Sequence, residues 1–378
     1  MKQGWRSKKL GDVCEVIAGQ SPKGEYYNSD GVGLPFYQGK KEFTGKYIGL
    51  PKKWTSVTTK EALKDDVLMS VRAPVGPVNF STQRICIGRG LAAIRTGSLI
   101  NKEFLYNFLV NHENQIVGNT GAVFNSINQT QIKSIPIPVP PLEEQKQIVA
   151  KLDQCFEAID KAKANAAKNL ENAKELFQSK LNDIFSQKGE GWVEKKLGAA
   201  CLITMGQSPK GTSYNQEGEG VPLINGPVEF GKDSFDKTIK SKFTTEPTKM
   251  CRQGDLILCV RGSTTGKINI AGFDACIGRG VASIRFDQNQ RWLDYFIRSK
   301  RNEIYSLGTG STFPNVSRTI LSKLPFLIPP VEQQNRLVET MNKLLSSTNL
   351  LQVKYQQELN SLEELKKSIL QKAFEGEL

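Results

Sequence analysis

The sequence predicts a mixed α/β (α+β) chain of two tandem globular domains, each followed by a long helix, with the two helices pairing as an antiparallel coiled coil. Three observations predict it. One set of short motifs occurs twice, in the same order. Two stretches entered through Pro-Pro, residues 142–185 and 331–374, lack Pro and Gly and carry apolar side chains at steps of three or four. The net charge of +13 resides in the segments between those stretches.

The repeat gives the domain plan. Trp5-Arg-Ser-Lys-Lys-Leu-Gly11 returns as Trp192-Val-Glu-Lys-Lys-Leu-Gly198, a shift of 187 residues. The same shift carries Gly19-Gln-Ser-Pro-Lys-Gly24 onto Gly206-Gln-Ser-Pro-Lys-Gly211, and Tyr27-Asn28 onto Tyr214-Asn215. After small insertions, Asp66–Arg72 matches Asp255–Arg261, and Cys86-Ile-Gly-Arg-Gly90 recurs as Cys276-Ile-Gly-Arg-Gly280. The expected domains are 1–140 and 188–329, with helices over 141–187 and 330–378. Within each copy, Asp66–Val71 and Leu256–Val260 are apolar runs of strand length that stop at a turn, and Leu91–Ile94 and Val281–Ile284 read the same way. Asn101–Val110 and Arg291–Arg298 read as short helices. Dense turn chemistry elsewhere implies a twisted sheet with long loops and leaves the strand order open.

In the central stretch the stripe runs through Val149, Leu152, Phe156, Ile159, Ala162, Ala166, Leu170, Ala173, Phe177, Leu181 and Ile184. That is one apolar seam on a helix about 65 Å long at 1.5 Å per residue. Pro140-Pro141 fixes where it starts. The C-terminal stretch supplies a matching stripe through Leu337, Met341, Leu344, Leu351, Tyr355, Leu359, Leu362 and Ile369. Two equal repeats on one chain make an antiparallel, pseudo-two-fold pair natural, with flanks left over for partner helices.

Charge and composition narrow the function. Residues 1–140 hold 18 Lys+Arg against 10 Asp+Glu and residues 188–329 hold 20 against 13, whereas the helices hold 7 against 8 and 6 against 7. A basic surface built twice suits a polyanion, most simply nucleic acid. No apolar run reaches membrane-span length, and the N-terminus lacks the apolar core of a signal peptide. Seven cysteines with no C-x-x-C pair are expected to be reduced and buried, in a cytoplasmic protein. The one histidine, His112, argues against a histidine-based acid–base site or metal cage. No G-x-x-x-x-G-K-[ST] phosphate loop and no [ND]-P-P-[YF] methyltransferase motif occur. The residues describe a binder, with no catalytic site of its own.

Several strings carry a family resemblance: Lys195-Lys-Leu-Gly198, Gly206-Gln-Ser-Pro209, the Ile-Pro-Val-Pro-Pro-Leu-Glu-Glu-Gln run at 137–145, Ile328-Pro-Pro-Val-Glu-Gln-Gln334 and Ile369-Leu-Gln-Lys-Ala-Phe374. In their doubled order, over the whole chain, they resemble the specificity subunit of type I restriction-modification enzymes. The resemblance implies a sequence-specific, non-catalytic DNA-binding subunit. Each globular half would be a target-recognition domain reading one part of a bipartite target in double-stranded DNA. The helix pair would set the spacing and dock two modification (methyltransferase) subunits. S-adenosylmethionine would sit on those adenine-N6 methylating partners, with no cofactor or metal in this chain, while separate restriction subunits would act as motor and nuclease. The rival reading is a coiled-coil scaffold or inhibitor that binds DNA without sequence preference.

Repetition also sorts the candidate DNA contacts. Residues identical in both copies cannot supply a difference in sequence read, so Gln20, Ser21 and Lys23, with Gln207, Ser208 and Lys210, belong to loop shape or phosphate contact. Tyr27 and Tyr214 follow the same loop. Arg72 and Arg261 end strands at turns, where DNA contact and a structural ion pair are both open. Arg89 and Arg279 lie in Gly-Arg-Gly turns, which allow close backbone approach to a ligand. Positions that differ are the better base readers: Tyr37, Gln38, Lys40 and Lys41 against Asn225 and its neighbours, the loop after Arg72 against Ser263 and Thr264, and Asn125 against Asn315.

Overall fold

The computed structural model describes residues 4–116, 126–309 and 314–378. The chain divides into two compact units, Met1–Ala167 with Gln356–Leu378, and Lys168–Tyr355. Each unit therefore takes one globular half, one part of the central helix Leu142–Ser186 and one part of the C-terminal helix Val331–Glu375.

In the first unit, the run Val67–Ser70 is buried throughout and lies inside a four-stranded sheet ordered Cys14–Ala18, Leu91–Thr96, Val67–Ser70, Val78–Phe80. All its pairings are antiparallel. Asp66 is buried just before that strand, and Arg95 grips it with two bonds of 3.0 and 2.9 Å, a bidentate pair that fixes the strand start. A second, five-stranded sheet runs Tyr27–Asn28, Trp54–Thr55, Leu34–Tyr37, Ile85–Ile87, Glu61–Ala62, with Leu34–Tyr37 parallel to Ile85–Ile87. Arg6–Lys9 pairs with Pro136–Val139 at the point where the chain leaves for the helix. Helix Lys102–His112 is capped by Asn101, whose side chain accepts from the Glu103 and Phe104 amides, and it buries Phe104, Leu105, Phe108 and Leu109 against the four-stranded sheet.

The Pro-Pro-Leu-Glu-Glu-Gln run has a structural purpose. Gln145 is fully buried; its Nε2 donates to the Leu99 and Pro140 carbonyls at 2.9 and 2.8 Å, and its Oε1 accepts from the Asn101 amide at 2.8 Å. One side chain thus ties the first turn of the long helix to the domain. Ile148, Val149 and Leu152 of the central helix share this unit's core with Leu370, Ala373 and Phe374 of the C-terminal helix. Lys163 pairs with Glu363, and Lys366 with Asp160 at 3.0 Å. Residue numbers rise on one helix as they fall on the other, so the pairing is antiparallel.

The second unit repeats the plan. Its four-stranded sheet is Leu202–Met205, Val281–Arg285, Leu256–Cys259, Ile268–Ile270, and its five-stranded sheet is Tyr214–Asn215, Phe243–Thr244, Val221–Ile224, Ala275–Ile277, Met250–Cys251. Arg285 grips Asp255 at 2.6 and 2.8 Å. Helix Gln290–Ser299 is capped by Asn289, and Gln334 donates to the Pro329 carbonyl at 2.8 Å as Gln145 does to Pro140. Phe177, Leu181 and Phe185 meet Val338 and Met341 in the core. One seam position differs from expectation: Leu351 is 37% exposed and Thr348 is the buried residue, its hydroxyl donating to the Leu344 carbonyl. A helical hydroxyl bonded back to the preceding turn can sit in an apolar seam, which pushes Leu351 to the flank.

Among the described residues no helix is long and apolar enough to cross a membrane, and no group of acidic, His and Cys side chains has metal-site geometry. All seven cysteines are free thiols.

Candidate nucleic-acid interface

In each unit, three backbone segments lock together at one end of the sheets. In the first, Gly19 N donates to Leu91 O and Gln20 N to Ile87 O, both at 2.9 Å. Gly88 N donates to Tyr37 O at 2.8 Å, Gly90 N to Gln38 O at 2.9 Å and Val71 N to Gly90 O at 3.0 Å. A Cβ on Gly19 would stand 2.2 Å from Gly88 O, and one on Gly90 2.3 Å from Gln38 O, so backbone meets backbone where no side chain fits. The Gln-Ser-Pro-Lys loop, the loop after Tyr37 and the Gly-Arg-Gly turn thereby form one frame. The second unit builds it again: Gly206 N to Val281 O, Gln207 N to Ile277 O and Gly278 N to Ile224 O are each 2.9 Å. There, a Cβ on Gly206 would stand 2.1 Å from Gly278 O, and one on Gly280 2.4 Å from Asn225 O.

The frame brings distant candidates together. Gln38, Lys40, Arg72 and Arg89 line a single open cleft of about 190 Å³. Arg72 forms a backbone bridge with Ser126, as Arg261 does with Asn315. Asn315 therefore lies beside Arg261, and its counterpart is Ser126, which sequence comparison missed by one position. The copies' own shift of 189 residues at Arg72 and Arg261 would have found it. Asn125 lies outside the described residues. Among the described residues, Arg72, Arg89, Arg261 and Arg279 are exposed and none has an ion-pair partner, in contrast to the paired Arg95 and Arg285. Among the described residues, the ion-pair alternative for Arg72 and Arg261 is thus not realised.

Other candidates divide by burial. Gln20, Lys40, Lys41, Gln207, Lys210 and Ser263 are exposed, and Asn225 and Thr264 half-buried. Lys23 is exposed and stands 3.9 Å from Glu25. Ser21 and Ser208 brace the frame, their Oγ atoms accepting from the Arg89 and Arg279 amides at 3.3 and 3.2 Å. Tyr27 and Tyr214 do the same for the loop, donating to the Pro22 and Pro209 carbonyls at 2.8 and 3.2 Å. Tyr37 corrects the expectation. It is 1% exposed, packs with Ile48, Ile87 and Leu91, and donates its hydroxyl to Gly49 O at 2.9 Å. Tyr37 is the last residue of strand Leu34–Tyr37, whose final three residues are all buried, whereas Gln38 lies just past the strand end and is exposed. Burial, helped by the Glu42 charge, raises the phenol to about 12. Asn225 owes its position to Glu229, a buried carboxylate whose Oε2 accepts from the Asn225 and Gly226 amides, both at 3.1 Å.

Comparison with known proteins turns this doubled frame into a family assignment. The model of the type I restriction modification DNA specificity domain matches residues 2–169 and again 189–361. The chain belongs to the type I restriction-modification DNA specificity family. Two copies of the specificity domain, one per globular half, account for the internal repeat. The chain is 25% identical to the StySPI specificity subunit of Salmonella potsdam, over 100% of this chain and 90% of that protein. A putative specificity subunit, MjaX of Methanocaldococcus jannaschii, is 39% identical, over 47% of this chain and 42% of that protein. Among solved structures, the HsdS subunit from Thermoanaerobacter tengcongensis superposes with a TM-score of 0.71 at 25% identity, covering 100% of this chain and 98% of that one. A chain from a type I R-M system solved to explain complex assembly and conformational transition gives 0.82 at 26%, covering 100% and 99%.

Proposed function

We propose that residues 1–140 and 188–329 are the two target-recognition domains, each reading one part of a bipartite double-stranded DNA target. The doubled frame carries this reading. One backbone scaffold, fixed by the same glycines and the same Ser–amide bonds, presents Gln38, Lys40, Arg72 and Ser126 in one copy and Asn225, Pro227, Arg261 and Asn315 in the other. Shared residues position the duplex: Lys23 and Lys210 on the phosphate backbone, Arg89 and Arg279 from turns that let the backbone come close. Differing residues choose bases, Gln or Asn for adenine and Lys or Arg for guanine.

In this reading the chain itself performs no covalent chemistry. The helix pair sets the gap between half-sites and offers its flanks to two modification subunits, which bring S-adenosylmethionine and methylate adenine; restriction subunits join to translocate and cut. Exchanging residues 1–140 for those of a relative with another target, then mapping methylated adenines in host DNA, tests it. One half of the methylated motif should change and the other stay. A change in both halves, or in neither, overturns the assignment of one half-site to each domain.

A further inference from the structure

Two adjoining clefts of about 290 and 300 Å³ in the second unit share Lys232, Asp233, Ser234 and Arg298. They begin at Pro227, directly after the base-facing Asn225–Gly226, and at Gly266, which closes the loop holding Ser263 and Thr264. From there they reach Lys174 and Thr348 of the two long helices. Their walls carry Lys174, Lys232, Lys267, Arg298 and Arg301 against the carboxylates of Asp233 and Asp236.

Arg298 is the informative member. It is half-buried, with its guanidinium 4.9 Å from the Phe177 ring centre and 5.1 Å from that of Phe235. Among the described residues it has no carboxylate in ion-pair range, and Lys232, Lys267 and Arg301 have none either. Among the described residues Lys174 pairs only with Glu171, at 3.5 Å along an exposed helix face. Desolvation, and after it the Arg301 charge, lowers Arg298 below the usual guanidinium range. Asp233 offsets the Arg298 charge only from beyond ion-pair range. A cation partly stripped of water without a direct carboxylate partner is costly, and an incoming anion relieves that cost. Guanidinium forks suit phosphate oxygens in particular.

The first domain lacks these charges at matching places. Counting from the caps Asn101 and Asn289, Arg298 corresponds to Val110 and Arg301 to Glu113. The second match is structural as well, because a Cβ on Gly76 would meet Glu113 Cγ at 2.9 Å and one on Gly266 would meet Arg301 Cγ at 3.1 Å. Pro77 follows Gly76 where Lys267 follows Gly266. Asn79 and Asn269 accept from the amides of Thr44 and Gly231, so Gly45 stands where Lys232 does.

We propose that this cleft is an additional phosphate-binding site of the second domain, taking backbone phosphates beside the half-site that domain reads, so that the two half-sites are held with unequal electrostatic strength. The inference rests on the DNA-reading assignment above. It is tested with the full-length chain and a duplex bearing its mapped target, by following affinity as salt is raised. For wild type, log K falls with log[salt] at a slope set by the phosphates neutralised. Arg298→Met, and separately the exposed pair Lys267→Gln/Arg301→Gln, should each weaken binding and flatten the slope, by about one for every phosphate no longer neutralised. The preferred sequence should not change, and Glu113→Gln in the first domain should leave the slope no flatter than wild type. The double variant alters only exposed side chains, so its result stands even if Arg298→Met fails to fold. A wild-type slope in the double variant overturns the proposal. So does an unchanged slope with weaker co-purification of modification subunits, which would make the cleft a seat for partner carboxylates. If wild type itself shows no preference for its target, the DNA-reading assignment has failed, a different outcome from either.

Discussion

At the scale of single residues, the contrast between paired and unpaired arginines decides most. Arg95 and Arg285 are held by buried aspartates and serve the sheets, whereas Arg72, Arg89, Arg261 and Arg279 are exposed with no ion pair among the described residues. We therefore expect Arg279→Ala to weaken duplex binding about tenfold, a loss of roughly 1.4 kcal/mol typical of one charge-assisted hydrogen bond, with its thermal midpoint unchanged. Gel-shift titration beside a melting curve checks both halves of that statement. Arg285→Ala should do the reverse and destabilise the fold. A second residue-scale prediction concerns Asp294, buried on helix Gln290–Ser299, with Gln290 Nε2 at 2.9 Å. Burial raises its carboxyl to about 7, against the lowering effects of Gln290 and then Arg291. A carboxyl raised in the native state costs nothing in acid, where both states are protonated. Its cost grows as pH climbs from about 4, the unfolded value, to about 7, and is complete above that. Asp294→Asn should thus be more stable than wild type at pH 8, with the gain shrinking to nothing near pH 3; paired denaturant titrations at the two pH values measure it.

At the scale of elements, the junction between each domain and its long helix matters more than the helix's own propensity. Gln145 makes three bonds in a fully buried position and fixes where the helix leaves the domain. Gln145→Ala would leave the Asn101 amide and the Leu99 and Pro140 carbonyls short of a partner, and we expect a loss of about 2–3 kcal/mol. A lower urea midpoint at constant m-value is the expected signature. The glycine frame is a second such element. Its tolerances come from backbone atoms that cannot give way, so Gly90→Ala, with 2.3 Å to the Gln38 carbonyl oxygen, should displace Arg89 and abolish duplex binding in any folded product.

For the whole molecule, spacing is the property that follows from repetition. Each unit takes part of both helices, and the central helix passes from one to the other at Ala167–Lys168. Four residues inserted near Ala166 add about 6 Å of helix, on the order of two base pairs of duplex. The unread gap in the methylated motif should lengthen accordingly while both half-sites stay the same. Methylation mapping that returned the original gap would sink the ruler reading.

The sequence by itself determined the plan: two copies of one domain, two long helices and a basic surface on each globular half. Those features are written as order, period and charge, which one-dimensional reading can follow. Identical strings marked the frame, and differing strings such as Gln38 against Asn225 marked candidate readers. Tertiary structure alone decided which side chains face outward. Tyr37 and Gln38 are neighbours in sequence, yet Tyr37 ends a buried strand and Gln38, just past it, lines the open cleft. The bridges to Arg72 and Arg261 set Ser126 opposite Asn315, where matching the loops by their Asn residues had set Asn125. Arg298 ends a segment that reads simply as a short helix and Arg301 follows it, and only packing against a loop some sixty residues earlier and a helix from the other repeat gathers them into a cationic cleft. The physical reason is the same in each case. Burial and charge neutralisation are set by what the folded chain brings alongside a residue, and local sequence does not encode its neighbours.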